Sequence, residues 1–262
     1  MRPGRPAGAF ASPRHSAAML PVDEPPLTAE LIRSRHDALR RRLRAAAEAA
    51  GRNPDAVRLV AVTKGFGSAV IRQANDAGLR RFGENRVQEA IPKMSAAPEA
   101  EWHLVGRLQA NKARPAVRGF AAIHSVDSLE LLGRLDRIAA EESRAPIALL
   151  QVNVTAETSK AGFALDWFEE AVGRPGSLSA AIAGLTAVRL AGLMTIGPAG
   201  ATTAESRGVF ATLRGLRDQL QQLTGLPLPE LSMGMTADAD AAVAEGATLV
   251  RIGTAIFGPR PA

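Results

Sequence analysis

Apolar residues recur along this chain in two rhythms. From about residue 57 onward, short apolar runs bounded by turn residues appear as "VRLVAVTK", "RRFGEN", "WHLVGR", "AAIHSVD", "IALLQVNV", "VRLAGLMTIG", "LPELSMGM" and "TLVRIGTAIFG". Between them lie segments of helical period, among them "AVIRQANDAG", "SLELLGRLDRIAAEE", "DWFEEAVG" and "SRGVFATLRGLRDQLQQL". Several of the runs lack strict alternation, as parallel strands covered on both faces do. Eight strands alternating with helices predict an α/β fold, the (β/α)8 TIM barrel. A helix from roughly Leu27 to Ala50, closed by Gly51 and Pro54, precedes strand one. Almost nothing follows strand eight, so this leading helix is expected to cover the outer gap that a final helix normally fills. A doubly wound open sheet is the weaker alternative, because no G-x-G-x-x-G follows the first strand and no P-loop occurs.

Residues 1–26, "MRPGRPAGAFASPRHSAAMLPVDEPP", are rich in Pro, Ala, Gly and Arg. They lack the apolar core of a secretory signal. They read as a disordered tail, or as a start assigned too early with Met19 as the first residue, and residues 27–262 as a single barrel domain. At 262 residues with 46% hydrophobic content, that domain can bury a full core. No stretch is long and apolar enough to span a membrane. The absence of cysteine excludes disulfides and thiolate metal ligands and fits a cytoplasmic address. No metal site is expected.

The net charge of +6 points to nucleic acid less than it first suggests, since Arg2, Arg5 and Arg14 lie in the tail. The densest basic run, "RSRHDALRRRLR" at 33–44, has helical spacing, with Leu31, Leu39 and Leu43 on one side. It reads as an amphipathic helix with a solvated arginine face. No aromatic residues are interleaved to stack bases. No nucleic-acid partner is therefore expected, and with no apolar dimer stripe the chain reads as a monomer.

Lysine is rare here: Lys64, Lys93, Lys112 and Lys160 are the only ones among 32 basic residues. Lys64 ends the first apolar run, and in a barrel chemistry sits at the C-terminal ends of strands. Other residues at such ends are Glu84, Asn85, His103, His124, Ser125, Asn153, Met194 and Thr195. The last two strands run into "SMGMT" and "RIGT". There, backbone N–H groups beside Gly234 and Gly253, with Ser and Thr hydroxyls, form an anion cradle, and a helix opening at Thr236 and Asp238 adds to it. Loops after strands seven and eight are the frequent phosphate site of barrels. A lysine amine held at the mouth can condense with an aldehyde to a Schiff base. Amine and phosphate cradle together call for a phosphorylated aldehyde, either pyridoxal phosphate or an aldolase-type sugar phosphate; spacing does not choose between them. Lys93 reads as helix surface. Lys112 and Lys160 fall after strands three and five, where either could shape the mouth. The loop "TIGPAGATTAESRG", 195–208, suits a flap over the mouth or an ordinary turn.

The runs "LVAVTK", "FGENRVQEA", "WHLVGRLQANK", "VNVTAETSKAGF", "GLMTIG" and "LSMGMTADADAAVAEGATLVRIGTAIFG" resemble the pyridoxal-phosphate homeostasis protein family, from about Leu27 to Gly258. These are single-domain barrels related to the N-terminal barrel of alanine racemase. The resemblance implies that Lys64 carries pyridoxal 5'-phosphate as an aldimine, that Ser232, Gly234, Gly253 and Thr254 contact its phosphate, and that Arg251 faces the pyridine nitrogen. It places Asn85, His103 and Met194 on the walls, His103 alternatively as a satisfied core histidine. It further implies storage, buffering or delivery of the cofactor, possible transfer to apo forms of pyridoxal-phosphate enzymes, and no established catalytic reaction, the alternative being a slow racemase-like enzyme with His103 or water as the opposite base. The chain has no tyrosine, and it ends soon after the last strand, so the tyrosine base and second domain of the racemases are expected to be missing. One departure is the turn Gly65-Phe66-Gly67, where family members often carry a proline after the lysine.

Overall fold

The computed structural model describes residues 27–260 of the chain. The tail assigned to residues 1–26 lies outside them. The non-alternating apolar runs become strands β1 (Arg58–Val62), β2 (Arg81–Glu84), β3 (Glu101–Leu104), β4 (Ala122–Val126) and β5 (Ile147–Asn153), then a two-residue β6 (Phe163–Ala164), β7 (Arg189–Met194), β8 (Glu230–Ser232) and β9 (Leu249–Ile252). All pair in parallel, in the order β1-β2-β3-β4-β5-β7-β8-β9, and β9 returns to β1 through Val60↔Arg251. This is the closed (β/α)8 barrel that the strand–helix rhythm predicts. The additional β6 lies on the end of β5, a pairing too short to leave a periodic signal.

The helices are α1 (Ala29–Ala49), α2 (Ser68–Asp76), α3 (Val87–Met94), α4 (Ala113–Gly119) and α5 (Leu129–Glu141) in the first half. In the second half follow α6 (Leu165–Gly173), α7 (Ser177–Ala183), α8 (Thr203–Thr224), α9 (Ala239–Ala244) and α10 (Thr254–Phe257). Helix α1 opens on the Thr28 hydroxyl, which accepts from Leu31 N, an N-cap that satisfies one orphan donor. It packs against α2, α9 and α10, and so covers the seam between the last strand and the first. Its buried stripe is Ile32, Leu39, Leu43 and Ala47, with Leu31 only half-buried. Leu39 and Leu43 are buried as the leucine spacing predicts, and only in the first turn does Ile32 take the place of Leu31. Arg33 donates to Asp76 O, Arg35 to Ile256 O, and Arg42 pairs with Asp240 at 2.9 Å. Part of the arginine face therefore stitches α1 to its neighbours instead of standing in solvent.

Most of the apolar burial lies between barrel and helices. Phe82, Phe120, Phe168 and Phe210 are fully buried there, each worth about 1.5–3 kcal/mol relative to exposure. A much smaller cluster fills the barrel interior: Val60, Val105, Leu149, Ala191, Met194 and Leu249. The outer shell stabilises the fold, which leaves the interior free to hold polar groups.

One polar tie fixes the approach to β7. Asp136 on α5 accepts from Thr186 N, Ala187 N and Val188 N at 2.8–3.1 Å and from the Thr186 hydroxyl at 2.9 Å. Burial works against its charge, but these donors outweigh it and hold the carboxyl below its ordinary value. Asp136→Ala is expected to cost about 2–3 kcal/mol in urea unfolding at neutral pH, the scale of charge-assisted bonds and their stranded donors. With the folded value depressed, this stabilisation is present above the unfolded value and is lost as pH falls through the folded one. The gap between wild type and variant should therefore narrow in acid; a gap that widens there would refute the assignment.

Candidate functional site

A cavity of about 360 Å³ opens at the C-terminal ends of the strands, and Lys64, Asn85, Arg251, Gly253 and Thr254 line it together. A larger concavity of about 550 Å³ lies at the opposite end, between α1 and the barrel base, walled by Arg40, Arg41, Arg44, Arg58, Arg80 and Arg81. The larger one offers cations but no lysine amine among its lining residues. Reactive groups converge only on the smaller.

Lys64 stands two residues beyond β1, half-buried. The backbone turns immediately after it at Gly65, and Phe66 folds inward onto Phe257, ring centres 5.5 Å apart. Behind it lies a buried polar network. The Lys93 ammonium donates to Glu84 Oε1 at 2.7 Å and to Thr63 O at 3.0 Å, and the Thr63 hydroxyl donates to Glu84 Oε1 at 2.6 Å. Lys93 is therefore not helix surface. Helix α3 turns it toward the barrel, where the fully buried Glu84 supplies its counter-charge. Glu84 belongs to this outer network, not to the mouth.

Arg251 projects into the interior from β9, 5% exposed. Its Nη1 donates to Ser232 Oγ at 2.7 Å and its Nη2 to Thr195 O at 2.8 Å. Burial pushes its pKa down to about 10, with Asp238 working the other way. The guanidinium is thus a fixed cation at neutral pH, held by two acceptors on β8 and the end of β7.

The glycine loops sit beside it. Gly234 has φ of +91°, and a Cβ there would lie 2.5 Å from Ala242 Cβ, so only glycine makes this turn without displacing α9. Helix α9 begins at Ala239, later than the hydroxyl pattern suggests. Asp238 spends its carboxylate on Met235 N at 2.6 Å, and residues 236–238 form a turn. The backbone N–H groups of Gly234, Thr236, Ala237 and Gly253 engage no partner among the described residues. Thr236, Ala237 and Gly253 line the cavity, where an anion would find their donors together with the exposed hydroxyl of Thr254, whereas Gly234, expected there too, is buried behind the lining.

Not every expected wall residue reaches the cavity. Asn85 does, and its backbone is pressed against Gly106, whose Cβ would fall 2.4 Å from Asn85 O. His103 and Met194 do not line it: both are buried beneath it in the barrel interior. His103 bonds His124 at 2.8 Å, the arrangement of a satisfied core histidine. Lys160 ties the mouth loops, its ammonium bound to Glu157 Oε1 at 2.6 Å, Thr155 Oγ1 at 3.2 Å and Gly197 O at 3.0 Å. Lys112 lies away from the lining, at the start of α4. The segment read as a flap is half helix: Thr202 and Glu205 form a capping box that starts α8 at Thr203.

Sequence reasoning missed Phe66, Met235, Ala237 and Arg260 as lining residues. Phe66 was findable in principle, as the lone aromatic between two glycines. Arg260 sits in no motif and arrives only because the chain after α10 folds back toward Gly65, whose Cβ would lie 3.3 Å from Arg260 Cδ.

The family model described as alanine racemase, N-terminal domain, matches residues 35–261. Proteins called pyridoxal phosphate homeostasis protein are similar over most of the chain. The one from Synechocystis is 42% identical across 79% of this chain and 93% of its own length. The one from Pseudomonas aeruginosa is 43% identical across 84% and 91%. Among solved structures, PipY of Synechococcus elongatus with PLP bound aligns with a TM-score of 0.72 at 45% identity, covering 87% of this chain and all of that one. An alanine racemase from Bartonella henselae superposes with a TM-score of 0.65 at 14% identity, covering 90% of this chain and 60% of that one; it attests the fold alone.

Proposed function

The chain belongs to the family of pyridoxal phosphate homeostasis proteins, and from that premise we propose that it holds pyridoxal 5'-phosphate at the barrel mouth, covalently through Lys64 Nζ as a Schiff base. Its role is then to store, buffer or deliver the cofactor within the cell, without turnover of its own. One observation carries the reading: a lysine amine, a buried guanidinium and unengaged backbone N–H groups share one 360 Å³ cavity. Their donor chemistry fits the group, an amine for the aldehyde, Arg251 for the ring nitrogen, and Gly253 and Thr254 with the Thr236 and Ala237 N–H groups for the phosphate, on a loop whose turn Gly234 makes. Ser232, expected among the phosphate contacts, is instead fully buried outside the cavity lining, where its hydroxyl fixes Arg251.

Bound pyridoxal phosphate supplies an electron-withdrawing ring, and Arg251 limits that withdrawal, because a guanidinium has no proton to lend the ring nitrogen at neutral pH. Stereochemical inversion of an amino acid needs a proton carrier on each face. Lys64 serves one face. The chain has no tyrosine for the other, and His103 is engaged by His124 below the cavity. Binding and release remain, and recipients would be apo forms of pyridoxal-phosphate enzymes.

The test is an absorption spectrum of protein loaded with pyridoxal phosphate. A visible band that borohydride abolishes, together with retention of label from α-deuterated L-alanine and transfer of the cofactor to an apo-enzyme, is the expected result. A protein that takes up no cofactor would overturn the reading in favour of a sugar-phosphate aldolase. Rapid loss of α-deuterium would overturn the non-enzymatic part of it.

A further inference from the structure

A line of polar groups crosses the barrel interior beneath the mouth. Arg251 Nη1 on β9 lies 2.7 Å from Ser232 Oγ on β8. Ser232 Oγ lies 2.8 Å from His124 Nδ1 on β4, and His124 Nε2 lies 2.8 Å from His103 Nδ1 on β3. His103 Nε2 then faces Glu101 Oε2 at 3.8 Å, and Glu101 meets Arg81 Nε of β2 at 2.5 Å. The His124–Ser232 bond joins strands that are not neighbours in the barrel. Ser232, His124, His103 and Arg251 are all buried, whereas Glu101 is open to solvent at the base.

The carboxylate at the base sets the sense of the bonds above it, and the guanidinium at the other end is compatible with that sense. A guanidinium only donates and a carboxylate only accepts. Glu101 is firmly a carboxylate, held down to about 2 by the His103 imidazole and then, against some burial, by Arg81. Its negative charge favours the His103 proton on Nε2, which leaves Nδ1 as an acceptor. His124 must then donate from Nε2, so its Nδ1 accepts, and the Ser232 hydroxyl donates to it while accepting from Arg251. His124 stays neutral in this arrangement: burial, then His103 and Arg251, push it well below the usual histidine range.

We propose that His103, His124 and Ser232 are positioning residues for Arg251, forming a one-directional relay that links the cation at the cofactor site to a carboxylate at the opposite end of the barrel. The relay has a second state. When the histidine pair takes up one proton, the charge lodges on His103, beside Glu101 and away from Arg251. His103 Nδ1 then donates to His124 Nε2, and His124 changes tautomer to donate from Nδ1. Ser232 keeps its own proton, which turns away from His124, and its Oγ accepts from both His124 and Arg251. Charged groups facing the pair include Glu101 on β3, itself paired with Arg81 on β2 at the base, and Arg251 from β9. The remaining base pair, Arg58 on β1 with Glu230 on β8, is matched within itself. The first state thus holds Arg251 through a hydroxyl committed to His124, and the second through a hydroxyl shared between two donors.

The tautomer pattern can be read without any cofactor, whereas the effect on bound pyridoxal phosphate rests on the function proposed above. The chain has four histidines, so ¹⁵N-histidine-labelled full-length protein, with His15→Gln and His36→Gln for assignment, gives resolvable long-range ¹H–¹⁵N correlations. At pH 8 both His103 and His124 should appear as neutral Nε2–H tautomers. On acidification His103 should become doubly protonated while His124 switches to neutral Nδ1–H at the same midpoint. His124 already in the Nδ1–H form at pH 8, or the two rings changing at separate midpoints, would overturn the relay. In protein loaded with pyridoxal phosphate, the visible band should shift at that midpoint in wild type and lose the step in His103→Gln. A band that shifts identically in wild type and His103→Gln would refute the link to Arg251 while leaving cofactor binding intact.

Discussion

Lys64→Ala is expected to abolish every borohydride-trapped adduct between the protein and pyridoxal phosphate, with loss of the visible band and of the corresponding mass increment. The other three lysines are placed so that none can substitute. Lys93 is buried in its pair with Glu84, Lys160 is tied to Glu157 and the mouth loops, and Lys112 lies away from the lining. The donors on the two glycine loops and Arg251 remain in the variant, so the cofactor should still dock, but weakly and reversibly. Loss of the covalent bond should lower retention on the order of 100-fold or more, about 3 kcal/mol. Lys64→Arg should behave like the alanine variant, because a guanidinium retains the charge but does not condense with an aldehyde. Peptide mapping after reduction checks the site directly: modification at a different lysine in wild type would remove Lys64 from the proposal.

Lys93→Met should produce the largest loss of stability, roughly 3–5 kcal/mol in urea unfolding at neutral pH, the scale seen when one partner of a buried ion pair is removed. Glu84 is fully buried, and its Oε2 is the single buried side-chain oxygen without a hydrogen-bond partner among the described residues. Burial raises its pKa, and Lys93 and the Thr63 hydroxyl act to restrain that rise. Without the ammonium, the remaining carboxylate is uncompensated. A raised folded pKa means that the folded state binds the extra proton, so the variant should suffer less near pH 5 than at pH 8. Glu84→Gln combined with Lys93→Met should recover much of the loss, since the pair is then removed as a unit. A single-variant loss under about 1 kcal/mol would show that the pair is not a structural tie. The consequence reaches the site, because Lys93 also holds the carbonyl of Thr63, the residue that precedes Lys64.

The architecture was legible because its signal is repeated. Each non-alternating run bounded by turn residues reports a strand buried on both faces, and eight such runs separated by helical periods leave few topologies. Errors fell where one residue's direction mattered. In the first turn of α1 the buried residue is Ile32 and not Leu31, although Leu39 and Leu43 are buried as expected. The start of α9 moved to Ala239 because the Asp238 carboxylate closes a turn onto Met235.

By itself, the sequence determined which residues stand at strand ends, and hence that Lys64, Asn85, Arg251, Gly253 and Thr254 could meet at one mouth. That information is local: a strand end and a glycine turn are written in a few consecutive residues. Tertiary structure alone decided what lies behind that mouth. His103 and His124 are 21 residues apart in the chain, and His124 and Ser232 are 108 apart, yet they bond inside the barrel. Lys93, on a helix face that reads as surface, is turned inward by the buried charge of Glu84. The physical reason is common to both: hydrophobic periodicity reports which face is apolar, but a buried polar group declares itself only when its partner arrives from another strand. Closure of the barrel brings those partners together.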